Sequence, residues 1–191
     1  MKKETLHHIF ARIPELETER LLLRQMRVRD AQDMFAYASD PEVTQYLLWR
    51  PHPNLQYTAH YLEYLAGRYR LGQHYEWAVI SKETGHMIGT CGFARIDCQH
   101  NCGEIGYVLH PAYHGQGLAV EASRRVIEFG FGELSLNRIE ARYMKENTAS
   151  LRVMEKLGMR FEGVERSSLL VKGLYRDIGK CAILAKEFQK E

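Results

Sequence analysis

The chain has 191 residues, 45% hydrophobic and 26% charged, the composition of a soluble globular protein, and its length fits one domain spanning 1–191. Its 26 Lys+Arg against 24 Asp+Glu give a net charge of +2, which argues against the concentrated basic footprint of a direct nucleic-acid binder. No apolar run approaches the ~20 residues of a membrane span, and the start, Met1-Lys2-Lys3-Glu4-Thr5-Leu6-His7-His8, has no apolar stretch behind its charge and does not read as a secretory signal.

Four cysteines, Cys91, Cys98, Cys102 and Cys181, are too sparse for a disulfide framework, so a cytoplasmic protein with reduced thiols is expected. Cys98, His100 and Cys102 are spaced like a fragment of a metal site. They lack a second ligand pair at a familiar spacing, and a polar loop without metal is the reading preferred.

In chain order, the leucine-rich Arg20–Met26 predicts a first strand. Asp30–Ser39 predicts a helix capped by Asp30 and ended near Asp40-Pro41. Pro51 and Pro53 mark a loop. Tyr61, Leu62, Leu65 and Tyr69 set an apolar stripe on a second helix over 55–69. Tyr75–Ile80 and His86–Arg95 predict strands turning at Glu83-Thr84-Gly85. Glu104–Leu109 alternates, with Ile105, Tyr107 and Leu109 on one face and Glu104, Gly106 and Val108 on the other. Ala119, Ala122, Val126 and Phe129 mark one face of a helix over 116–131. Arg138–Tyr143 predicts a strand. Thr148–Leu157 predicts a helix with Asn147 as N-cap and Gly158 past its end. Phe161–Val171 and Leu174–Phe188 predict two strands around a Lys172-Gly173 turn. The order β-α-α-β-β-β-α-β-α-β-β is mixed α/β, with consecutive hairpins in the middle.

The segment richest in chemistry is His110-Pro-Ala-Tyr-His-Gly-Gln-Gly-Leu-Ala119, which leaves a strand and enters a helix. Gly115 and Gly117 let backbone approach a ligand closely, and unpaired amides with partial positive charge at the helix start suit a phosphate or pyrophosphate. The alternative is a plain glycine-rich turn. A P-loop is excluded because Leu118-Ala119, not Lys-Ser/Thr, follows the glycines. A dinucleotide fingerprint is excluded because Val120 stands at its third small position and the preceding strands are hairpins.

Here the sequence resembles the GCN5-related N-acetyltransferases (GNAT), whose pyrophosphate loop reads Arg/Gln-x-x-Gly-x-Gly/Ala. The matching frame is His114-Gly115-Gln116-Gly117-Leu118-Ala119, with His114 a departure at the first position. The branch resembled most is the ribosomal-protein N-terminal acetyltransferases. Its hallmarks recur in order at Leu16–Arg24, Glu104–Leu109, Gly115–Ala122, Glu146–Ser150 with Glu155–Met159, and Gly173–Asp177. The resemblance implies a GNAT fold: a mostly antiparallel twisted sheet with one splayed parallel strand pair, flanked by helices. It implies that acetyl-CoA, the co-substrate, wedges between Glu104–Leu109 and Arg138–Tyr143. The pantetheine would pair with the backbone of Tyr107, Val108 and Leu109, and the pyrophosphate would sit on the amides from Gly115 to Ala119, with Asn147 also touching the cofactor. A homodimer is consistent with the resemblance.

Ser150 shares a helix face with Val153, Met154 and Leu157, so its hydroxyl needs a buried partner. The resemblance places it near the thioester sulfur; the alternative is a bond to a carbonyl one turn earlier. Glu104 is the candidate base for the acceptor ammonium, with Gly106 leaving room beside it, against the alternative of a simple ion pair. Glu121 reads as an acid complementing the helix dipole, and Asp177 as half of a local ion pair. Tyr57, Tyr61, Tyr64, Tyr69 and Tyr75, with Trp49, His52 and His74, are divided between core and a candidate acceptor groove. The function expected is transfer of acetyl from acetyl-CoA to a primary amine, a protein N-terminal α-amine first. The alternatives are a small-molecule amine or a non-catalytic acyl-CoA-binding module.

Overall fold

The computed structural model describes residues 2–188. Six helices and eight strands follow one another: α1 (Lys3–Ala11), β1 (Leu16–Glu17), β2 (Leu21–Arg24), α2 (Ala31–Ala38), α3 (Pro41–Thr44), α4 (Leu55–Arg70), β3 (Glu76–Ser81), β4 (Met87–Asp97), β5 (Cys102–Leu109), α5 (Leu118–Gly132), β6 (Arg138–Met144), α6 (Thr148–Lys156), β7 (Arg160–Val171) and β8 (Leu174–Leu184). The strands form one sheet in the order β1-β2-β3-β4-β5-β6-β8-β7. Every neighbouring pair is antiparallel except β5 and β6. This is the mixed α/β order that the elements predict, with the single parallel pair that the resemblance implies.

The alternation of each central strand divides the sheet into two faces. Trp77, Cys91 and Tyr107 pair across β3, β4 and β5, and Cys91 meets Ser123 of α5 at 3.6 Å. That face is closed by α5 and by α1, whose Phe10 makes edge contacts with Trp77 and Phe129. Ala78, Thr90 and Val108 pair across the same strands and project to the opposite face, toward α2 and α4. Most of the predicted apolar stripes is buried, Leu62, Leu65 and Tyr69 on α4 and Ala122, Val126 and Phe129 on α5, while Tyr61 and Ala119 are half-buried.

Three elements go beyond the sequence prediction. The helix α1, in the polar start of the chain, buries Leu6 and Phe10, one turn apart. The short α3 begins at Pro41, with Asp40 as its cap. The two-residue β1 extends the sheet by one strand. Two further details are corrected. The last strand stops at Leu184, where a turn begins, rather than reaching Phe188. Asp30 does not cap α2. Its carboxylate accepts from the Arg27 amide at 2.8 Å and from Nη1 and Nη2 of Arg24 at 2.7 and 2.8 Å, a buried ion pair between the end of β2 and the turn before α2. Among the described residues no helix is long and apolar enough to cross a membrane.

Candidate active site

The parallel strands β5 and β6 pair only at Cys102↔Arg138, Gly103↔Ile139 and Glu104↔Glu140. Beyond Glu104, β5 follows β4 as far as Leu109 and β6 follows β8 as far as Met144, so the two diverge and leave a wedge-shaped gap. The backbone of β5 points alternately to its two neighbours. Asn101 accepts from Asn137 on the β6 side, and the His110 amide donates to Ile88 on the β4 side. The amides and carbonyls of Ile105, Tyr107 and Leu109 therefore face the gap, whereas those of Gly106 and Val108 face β4. The close approach of the Val108 carbonyl to Gly89 agrees.

The loop between β5 and α5 is held open at the mouth of this gap. Gly115 and Gly117 have φ of +77° and +80°, the left-handed region that a side chain disfavours. The first bond into α5 runs from the Glu121 amide to the Gly117 carbonyl. The amides of Leu118, Ala119 and Val120 thus stand ahead of the first helical bond, at the positive end of the helix. His114, at the position where the resembled family has Arg or Gln, turns back: its Nε2–H donates to the Leu109 carbonyl at 2.9 Å. That carbonyl, expected to be free for pantetheine, is occupied, and the amide of Leu109 remains. The Gln116 side chain likewise braces the loop, donating to the Ala112 carbonyl at 3.0 Å.

Glu121 does more than complement a dipole. Its carboxylate accepts from Thr18 Oγ1 at 2.6 Å, the Arg20 amide at 2.9 Å and Arg20 Nε at 2.7 Å, while Arg20 Nη1 donates to the Gln116 carbonyl at 3.0 Å. The Thr18–Arg20 hallmark thus ties the glycine loop to the first strands. Burial raises the Glu121 carboxyl, but the bonds from Thr18 and Arg20 outweigh it and leave it below the ordinary carboxylate value of 4.5. A carboxylate depressed on folding stabilises above its unfolded value and loses that contribution as pH falls through the folded one. Acid unfolding of Glu121→Gln, followed by circular dichroism below pH 4.5, should therefore show a shallower loss of stability than the native protein.

At the other wall, Asn147 caps α6 as predicted, its Oδ1 accepting from the Ser150 amide at 3.1 Å. Ser150 does not bond back into its helix. Tyr107 Oη donates to the Ser150 carbonyl at 3.0 Å and stands 3.0 Å from Ser150 Oγ. The Tyr107 side chain thus spans from β5 to α6 on the α5 face. Burial pushes its phenol well above the ordinary value, with the Ser150 bond opposing, so it remains a neutral hydroxyl.

Glu104 lies at the closed end of the gap, 13% exposed, and Oε1 accepts from Arg142 Nε at 2.9 Å. This is the ion-pair arrangement. Asp177 makes no ion pair among the described residues; its carboxylate accepts the Ser167 amide at 2.9 Å. His100 leans on Asp97, and Cys102 Sγ donates to Glu140. Among the described residues no cluster of three or more His, Cys, Asp or Glu is placed to hold a metal ion.

The opposite face of the sheet carries a cavity of about 440 Å³, bounded by α2, the 49–53 segment and the start of α4 and floored by Glu76, Thr90 and Val108. Trp49, His52, Tyr57 and Tyr61, named above as candidates for an acceptor groove, line it. His52 sits at the centre of this aromatic wall, with Nδ1 2.8 Å from Thr58 Oγ1 and ring centroids 5.3, 4.9 and 5.6 Å from Trp49, Tyr57 and Tyr61. A second cavity of about 580 Å³ lies between α1, α4 and the sheet, and takes Tyr64, His74 and Tyr75. Glu76 borders both, and burial pushes its carboxyl up to about 7. The sequence reading missed it. The available signal was an acid opening the otherwise apolar run Glu76-Trp-Ala-Val-Ile80.

Residues 20–160 match the family described as "Acetyltransferase (GNAT) domain". The chain belongs to the GNAT acetyltransferases. It is 38% identical over 173 residues, 91% of this chain and 97% of the other, to "Uncharacterized N-acetyltransferase p20" of Bacillus licheniformis. It superposes on the crystal structure of a GNAT-family acetyltransferase from Bacillus anthracis with a TM-score of 0.82 at 31% identity, covering 91% of this chain and 100% of that one. A more distant relative, spermidine N(1)-acetyltransferase of Escherichia coli, is 27% identical over 107 residues, 56% of this chain and 58% of that protein.

GNAT acetyltransferases draw their acyl group from acetyl-CoA, and the residues here fit that molecule. A Cβ built on Gly115 would meet nothing within 4 Å, so the loop backbone is open to an anion, and the gap-facing backbone of Tyr107 has no strand partner on the β6 side.

Proposed function

We propose that this GNAT acetyltransferase acetylates the α-amine of a protein N-terminus, of the ribosomal-protein type, in the cytoplasm. The observation that carries the reading is the two-sided gap. Tyr107 and Val108, adjacent on β5, project to opposite faces. Tyr107 meets Ser150 on one face, and Val108 floors the aromatic cavity on the other. Acetyl-CoA supplies the activated acyl group. The amides of Gly115, Gln116, Gly117, Leu118 and Ala119 hold its pyrophosphate, the Leu109 amide and Tyr107 backbone align the pantetheine, and Asn147 fixes the helix end that presents Ser150. Glu104, tied to Arg142, we assign to closing the strand pair rather than to proton transfer.

The acceptor class follows from the cavity's charge. Its aromatic walls favour an ammonium, and Glu76 is its single acidic residue among those described, with the exposed Arg50 also lining it. An arginine there opposes a chain of several ammoniums such as a polyamine. It tolerates a single α-ammonium followed by neutral peptide. The expected homodimer rests on family resemblance; the exposed Leu170, Leu174 and Tyr175 at the β7–β8 turn are the apolar surface that two copies would cover. Incubation with acetyl-CoA and peptides bearing either a free α-amine or a blocked N-terminus and a lysine, read by mass spectrometry, tests the acceptor. Mass gained on lysine alone, or on spermidine in preference to peptide, refutes it.

On this reading Ser150, oriented by Tyr107, donates toward the departing sulfur as negative charge develops there. Ser150→Ala should lower kcat toward the low end of the ~10²–10⁴-fold range of such donors, with little change in acetyl-CoA affinity. A thioester of a more acidic thiol should partly restore the rate. Full activity with acetyl-CoA itself would leave Ser150 with packing only.

A further inference from the structure

Glu76 stands on the acceptor face of the sheet at the junction of both cavities. Its register partner on β4 is Gly92, and Gly92 pairs with Gly106 on β5. Two positions without side chains therefore separate the carboxylate from the gap. A Cβ built on Gly106 would meet nothing within 4 Å, so the sheet surface beside the gap is open, while the space over Gly92 is taken by Glu76 itself and the Tyr75 carbonyl. Two strand spacings amount to about 10 Å, a distance that a glutamate side chain and one bridging water cover. A second observation points to a ligand here. Tyr37 is 1% exposed and lines the same cavity, yet its hydroxyl has no hydrogen-bond partner among the described residues. A buried hydroxyl left unpaired is costly, and an acceptor in the cavity would satisfy it.

We propose that Glu76, and not Glu104, takes the proton from the acceptor ammonium, with Tyr37 bonding the acceptor beside it. The inference rests on the acetyl-transfer reading above. The ammonium gives one proton to the Glu76 carboxylate and becomes a neutral amine. Its lone pair forms the new N–C bond while the C–S bond breaks and the sulfur keeps the electron pair. The second nitrogen proton ends on that sulfur, and Glu76 returns its own to water in the second cavity.

The surroundings suit this cycle. Tyr61 and Tyr69 of α4, Tyr37 of α2 and Cys91 of β4 are each pushed up by burial and stay neutral. His74 Nε2 lies 3.6 Å from Glu76 Oε2, but burial, with Arg68 adding to it, takes His74 down to about 4, so it too is neutral near pH 7. Lys3, His7 and Arg68 line the outer cavity, and none is paired with Glu76 among the described residues. Glu76 therefore keeps a basicity near neutrality, where a carboxylate can both accept and return a proton.

The test measures coenzyme A release from acetyl-CoA with a free-α-amine peptide, across pH. The native rate should rise with pH through about 7. In Glu76→Gln kcat should fall about 10²-fold or more with acetyl-CoA affinity unchanged by calorimetry, and the rising limb should vanish. Glu76→Ala should recover activity with added formate, which a purely structural loss would not show. Infrared difference spectra should show a protonated-carboxyl band titrating near neutrality in the native protein and absent from Glu76→Gln. A full rate in Glu76→Gln, a rising limb that survives there but disappears in Glu104→Gln, or no formate rescue overturns the assignment and leaves acetyl transfer standing. No turnover by the native protein with any amine probe overturns acetyl transfer, and this assignment with it.

Discussion

Gly117→Val should reduce acetyl-CoA affinity by about 10²-fold or more while leaving the helix and strand content intact. Gly117 sits at φ +80° as the residue before α5. A β-branched residue held there costs about 1–3 kcal/mol. Its Cβ would lie 3.7 Å from Arg20 Nη2, beside the guanidinium that holds the Gln116 carbonyl. If the backbone turns to relieve the strain, the amides of Leu118 and Ala119 turn with it. Each bond from an amide to a charged group is worth about 1.5–3 kcal/mol, so two lost bonds account for the expected change. Calorimetry with acetyl-CoA, beside circular dichroism of the same sample, checks it. Native affinity in a folded variant removes the loop from the binding site.

Asp30→Ala should be the most destabilising of the single changes considered. The Arg24 and Asp30 side chains are 9% and 6% exposed, and two parallel bonds join them. Removing the acid strands a buried guanidinium, which typically costs about 3–5 kcal/mol. For a chain of this size each kcal/mol lowers Tm by about 2–4 °C, so thermal unfolding should begin roughly 10 °C earlier. Pairing the change with Arg24→Met should recover most of the loss, because the unpaired charge goes too. A single variant that melts within a degree of native would show that the pair contributes little.

The contrast between Asp30 and Asn147 shows what the sequence makes legible. Both are acceptable cap residues at plausible helix starts. Asn147 caps because its partner is three residues away in the same segment. Asp30 is claimed by Arg24, which the chain brings to it through β2 and the following turn. Local rules locate α2, α4, α5 and α6, the hairpins and the Gly115 and Gly117 turn because those depend on neighbours in sequence. The glycine loop was legible for the same reason. Glu76 was not, because the burial that raises its carboxyl is supplied by distant elements, α2 and α4 among them, that line the cavities beside it, and not by its neighbours in sequence. His114, the departure from the family frame, spends its ring on a carbonyl five residues back.

The bracing of the glycine loop by Thr18 and Arg20 has a thermodynamic consequence. These contacts join residues about a hundred positions apart, so the loop cannot take its binding shape in a fragment or in a chain whose first strands have frayed. A ligand that recognises only this assembled shape binds the native state and not the unfolded one. Its binding free energy then adds to the folding free energy of the whole chain, about 2.7 kcal/mol at a hundredfold excess over Kd. Coenzyme A should accordingly raise the melting temperature of the entire molecule and slow amide hydrogen exchange in β1 and β2, strands on the far side of the sheet from the gap.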